Sequence, residues 1–87
     1  MVVLMDTVDG FLDLLGVPGD KYAIGAEAHE RWCLTAEEDG TWHVFWSERG
    51  SRFEEVPFSR EEDACFQLIG RLTVRQLMDG RLQAKPA

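Results

Sequence analysis

The chain has only two cysteines, two histidines, three prolines and nine basic residues among 87, and it lacks any long apolar run. Each scarcity narrows what the protein can be. Two cysteines, Cys33 and Cys65, are too few to staple a small secreted fold, and a reducing compartment would keep both as buried structural thiols. No segment approaches the roughly 20 apolar residues needed to cross a bilayer. Met1–Asp6 has neither a basic n-region nor an adequate apolar h-region, so the expected location is the cytoplasm. Nine Lys and Arg against 16 Asp and Glu leave a net charge of −7, which repels nucleic-acid phosphates and anionic membranes. No nucleic acid and no membrane is therefore expected as a partner. A basic protein suits this charge.

The chemistry of catalysis is scarce too. His29 and His43 are the only side chains with an ordinary pKa near neutrality, and neither stands beside a nucleophile in the sequence. There is no Cys-x-x-Cys and no His-x-x-x-His, so no metal and no cofactor is expected and the chain does not read as an enzyme. Gly16-Val17-Pro18-Gly19-Asp20 follows a helical pattern and has no phosphate-loop lysine, which makes it a turn. Glu61, Glu62 and Asp63 fall where acids complement the positive end of a helix dipole.

What the chain does have is apolar material: 45% hydrophobic and 10% aromatic residues, enough for one modest core. A single domain over residues 1–84 with a frayed tail at 85–87 follows. Met1, Leu4, Met5, Val8, Phe11, Leu12 and Leu15 make the stripe of an amphipathic N-terminal helix, closed by Gly16 and Pro18. Asp6, Asp9 and Asp13 lie on its other side. Four short strands follow, at Lys21–Gly25, Arg31–Ala36, Thr41–Ser47 and Arg52–Pro57.

Register follows from keeping the apolar set on one face. With Glu38-Asp39-Gly40 as the loop, Trp32 lies opposite Trp46, Leu34 opposite Val44 and Ala36 opposite Trp42. An Arg49-Gly50 turn then sets Phe53 opposite Trp46 and leaves Val56 beside His43. Trp32, Trp42 and Trp46 become core, and His43 and Phe45 face the other way. Ser59 and Glu62 have capping-box form ahead of a helix with a stripe of Cys65, Leu68, Ile69 and Leu72. Continuing that stripe would bury Gln76, so a phase change near Thr73 is expected, giving one kinked helix or two. The fold class is α+β: an N-terminal helix, a four-stranded antiparallel meander, and a C-terminal helix or helix pair on the Trp-bearing face.

Trp42-His43-Val44-Phe45-Trp46-Ser47-Glu48-Arg49-Gly50, with Tyr22-Ala23-Ile24, Trp32-Cys33-Leu34 and Phe58-Ser59-Arg60-Glu61-Glu62-Asp63-Ala64-Cys65, resembles small bacterial immunity proteins of polymorphic toxin systems. The likeness covers residues 21–72, and its motifs are fold-determining, so no functional residue carries across. The resemblance implies an inhibitor that occludes the active site of a toxin. Together with the acidic charge it points to stoichiometric binding of a basic protein partner. The expected contacts are Asp6, Asp9, Asp13, Phe45, Glu48 and Glu54. Two alternatives stand beside this reading: a homodimeric accessory module without inhibitory activity, and a small ligand-binding protein or enzyme with a Trp-lined pocket.

Overall fold

The computed structural model describes residues 2–82; the expected tail at 85–87 lies outside them. Helix α1 spans Val8–Leu14, and the chain before it is not helical as its apolar stripe suggests. Thr7 Oγ1 accepts the Leu4 amide at 3.0 Å, and the Met5 amide donates to Glu61 Oε2 at 2.8 Å. These bonds keep Val2–Leu4 out of the helix and let Val3 enter the core beside Val8 and Leu12. Gly16 ends the helix as expected. Its φ of +74° lets Val17 N–H return to Leu12 O at 3.0 Å, and it seats Val17 in the core.

A 3₁₀ turn at Gly19–Lys21 leads into the four strands β1 (Tyr22–Ile24), β2 (Arg31–Ala36), β3 (Trp42–Glu48) and β4 (Ser51–Phe58), which lie in the order β1-β2-β3-β4. The expected neighbours are correct, but the sheet is mixed: β1 runs parallel to β2. Parallel neighbours need a connection that crosses a sheet face, usually a dozen or more residues long. Here Gly25–Glu30 suffices because β1 has only 3 residues. Ala28 N–H bonds Cys33 Sγ at 3.4 Å, and Glu30 N–H bonds Ser47 O at 2.7 Å.

The β2–β3 hairpin has the expected register, with Trp32 opposite Trp46, Leu34 opposite Val44 and Ala36 opposite Trp42. Arg49 and Gly50, at φ +51° and +75°, make a turn whose twist suits a hairpin, and Phe53 pairs with Trp46 as expected. Beyond it the expected register fails. A bulge at Glu54, φ +52°, sets two residues opposite Phe45. Val56 therefore pairs with Val44 on the helix-covered face, and Glu55 turns to the reverse face beside His43.

Helix α2 covers Glu61–Met78 without a break at Thr73. No side chain caps its start, so the Ser59 capping box is not formed. Gln76 does enter the buried face, with 3% of its surface exposed. Its Nε2 donates to Gly16 O at 2.9 Å and Leu15 O at 3.3 Å, so the amide satisfies the end of α1 and no phase change is needed. The core unites Leu34 and Val44 with Ala64, Cys65, Leu68 and Leu72 of α2 and with Val8 and Leu12 of α1. Trp32 and Trp42 are half-buried at its margin. Among the described residues, no helix is long and apolar enough to cross a membrane.

Candidate protein-binding surface

The reverse face of the sheet is closed. Phe45 is fully buried, with the Arg52 guanidinium 4.1 Å from its ring centroid, so it cannot serve as the surface contact expected of it. Alternation places Phe45 on this face, as expected, but the Gly25–Glu30 connection and Arg52 seal it. Arg52 reaches three carboxylates: Glu55 at 2.7 Å, Glu37 at 3.0 Å and Glu27 at 3.1 Å. His43 Nδ1 lies 2.7 Å from Glu55 Oε2, and its Nε2 lies 3.1 Å from Thr41 Oγ1. The bond to His43, then Arg52, holds the Glu55 carboxyl below the usual range; Arg52 and then Thr35 do the same for Glu37.

Donor atoms of Glu37, His43 and Glu55 lie within 4.8 Å of one another, close enough to hold a metal ion. Arg52 Nη1 already donates to both carboxylates, so a cation would have to displace an internal one. The site is built as an ion-pair network. Nucleophilic chemistry is equally disfavoured at the thiols. Cys65 is buried and its pKa is pushed up to about 11, mainly by burial and then by Glu61, Glu62 and Asp6. Burial also raises the buried Cys33 thiol, against a lowering bond from Ala28. Both stay protonated near neutrality.

Trp32 and Trp46 meet edge to face, 5.9 Å apart, and line a cleft of about 230 Å³ with Lys21, Glu30, Leu72 and Arg75. This is below the roughly 300–1,000 Å³ of most small-molecule sites. Trp32 also walls a wider, open groove along α2, and the Arg71 guanidinium lies 4.7 Å from its ring.

The acidic residues chosen from the sequence divide by place. Asp6, Asp9 and Asp13 are exposed on and just before α1, and among the described residues none is ion-paired. Their field reaches neighbours: Tyr22, raised first by burial, is raised further by Asp9 and Asp13. Glu48 accepts the Trp46 indole N–H at 3.1 Å at the far end of β3, and Glu54 at the bulge pairs with Arg71 at 3.3 Å. The six residues do not form one site; Asp6, Asp9 and Asp13 share only the α1 segment.

Sequence reasoning missed what lies beside those three. Thr7, Gly10, Phe11 and Leu14 line a shallow apolar depression on α1, and Leu14 is 84% exposed. The signal was present, since Leu14 falls off the stripe that packs α1 into the core. Arg52 was missed as the hub of the reverse face because its partners come from three separated segments. No family model, curated protein or solved structure matches the chain.

Proposed function

We infer that the chain is a protein-binding module that acts by covering a basic partner with its α1 surface, in the manner of an immunity-type inhibitor that occludes a toxin in the bacterial cytoplasm. The observation that carries this reading is Leu14, 84% exposed at the lip of an apolar depression, on the same short helical segment that exposes Asp6, Asp9 and Asp13. An exposed apolar anchor gives a complex residence time, and carboxylates with no ion pair among the described residues can pair with lysine or arginine across an interface. The chain's charge of −7 speeds encounter with a basic protein. The resemblance of residues 21–72 to immunity proteins agrees with this mode of action.

The test is affinity capture from the native host at physiological salt with the wild-type chain and an Asp9→Lys/Asp13→Lys variant. Charge reversal should lower partner recovery by about tenfold or more. The captured partner, assayed for its own activity, should lose it in proportion to added wild-type chain up to one equivalent. Equal recovery with the variant would remove α1 as the contact. A partner that stays fully active when saturated would remove inhibition.

A further inference from the structure

The cleft between Trp32 and Trp46 gathers groups that the α1 surface does not use. The two indoles stand opposite each other across the β2–β3 pair and meet edge to face, 5.9 Å apart. Arg71 lies 4.7 Å from the Trp32 ring but lines the neighbouring groove along α2, so it braces this wall without filling the cleft. Leu72, 2% exposed, is the apolar side chain that α2 adds. Around this apolar interior stand Lys21 from the 3₁₀ turn, Glu30 from the end of the crossover and Arg75 from α2.

These three charges come from separate elements to one small cleft, yet they do not pair with one another. Among the described residues Glu30 makes its ion pair with His29, at 3.6 Å, Arg75 bonds Asp79 through Nε at 3.2 Å, and Lys21 is in no ion pair. Glu30 also holds φ +55°, which non-glycine residues seldom adopt, and its N–H bond to Ser47 O at 2.7 Å fixes it there. Backbone held in such a conformation clusters at sites where ligands are clamped. An apolar cleft ringed by a few converging polar groups is the usual form of a small-ligand site.

We propose that this cleft binds a free α-amino acid with an apolar side chain. The charges select the class. A ligand that satisfies all three must carry both signs within a very small frame, and an α-amino acid carries an ammonium and a carboxylate on one carbon. Its ammonium meets Glu30, its carboxylate meets Lys21 and the Nη groups of Arg75, and its side chain enters between the indoles against Leu72. A simple anion would leave Glu30 beside a like charge, and a simple cation would face Lys21 and Arg75. The volume of about 230 Å³ suits a ligand of this size and excludes larger ones. Because the side chains of Glu30 and Arg75 are 67% and 64% exposed, each ionic contact is weak and the affinity is modest.

Titration of the full chain with L-leucine and with L-phenylalanine, followed by tryptophan fluorescence and by calorimetry, tests the proposal. At least one should bind saturably, one to one, with a dissociation constant between about 10 μM and 1 mM. The N-acetyl form of that amino acid, which lacks the ammonium, and its amide, which lacks the carboxylate, should each bind about fivefold more weakly or worse. Glu30→Gln should weaken the free amino acid and leave the N-acetyl form unchanged, and Lys21→Gln should weaken the free amino acid and leave the amide less affected. Both positions are exposed, so the circular dichroism spectrum should not change. Absence of saturable binding of either amino acid up to about 20 mM overturns the proposal. So does equal affinity for the free and capped forms, or equal affinity of the wild type and both variants, since either would reduce the indoles to a non-specific apolar contact.

Discussion

Gln76 decides how α2 is built. In sequence it interrupts the stripe of Cys65, Leu68, Ile69 and Leu72, and a shift of helical phase would bring Val74 and Leu77 inward in its place. The chain instead buries the glutamine, because the last carbonyls of α1 have no donor of their own and the Nε2 amide supplies two bonds to them. Hydrophobic period registers transfer from water but not a distant carbonyl, so this contact was not legible in the sequence. The cost of the choice is visible on the other side of the helix, where Val74, Leu77 and Met78 remain in solvent. Gln76→Leu makes a test. Added apolar burial alone would stabilise, but two carbonyls lose their donor, and we expect a net loss of about 1–3 kcal/mol in urea unfolding. A neutral or stabilising result would mean that water replaces the amide without cost.

At the scale of elements, hairpins read well from sequence where a turn fixes both register and face. Glu38-Asp39-Gly40 gave the β2–β3 pairing in full, since Gly40 adopts φ +85° and a two- or four-residue loop splits the apolar set. The Arg49-Gly50 turn gave Phe53 opposite Trp46 for the same reason. The register beyond the bulge was not legible, because a glutamate is an uncommon residue for φ +52° and nothing local marks Glu54. The direction of β1 was hidden as well, since a short loop suits a hairpin and parallel pairing depends on contacts of Glu27, Ala28 and Glu30 with distant strands. Arg49 offers a local test. It holds φ +51° as a non-glycine residue, and its backbone N–H bonds His29 Nδ1 at 3.3 Å whatever the side chain is. Arg49→Asn supplies the Asn-Gly pair that such a turn favours and should stabilise by roughly 0.5–1 kcal/mol. Thermal unfolding checks this, and a lowered midpoint would show that the Arg49 side chain has a role in the folded state.

Over the whole molecule, Arg52 on β4 ties three otherwise separate parts to the reverse face: the crossover through Glu27, the β2–β3 turn through Glu37 and the bulge through Glu55. The sequence shows these acids only as scattered solvated positions; the crossover and the bulge bring them together. Glu37 and Glu55 have carboxyl pKa values held below the ordinary range, so they release protons more readily folded than unfolded. Their stabilising contribution is fully present above the unfolded carboxylate value, about 4, and is lost as pH falls through the lower folded values. Burial opposes this, and the carboxylates are about a quarter to a third exposed, so salt should weaken the effect. Arg52 itself stays charged throughout, since its own pKa is raised by Glu55 foremost. Arg52→Ala leaves Glu27, Glu37 and Glu55 facing one another with only His43 to offset them. Like charges brought together favour protonation, so the sign reverses and stability should hold or rise as pH falls from neutrality toward about 5. Urea unfolding of the wild type and of Arg52→Ala over a series of pH values measures both slopes. The wild type should lose stability below the ordinary carboxylate range while the variant, weaker at neutrality, loses less. Parallel curves would mean that the guanidinium only packs over Phe45 and that the crossover is held by its backbone bonds to Cys33 and Ser47.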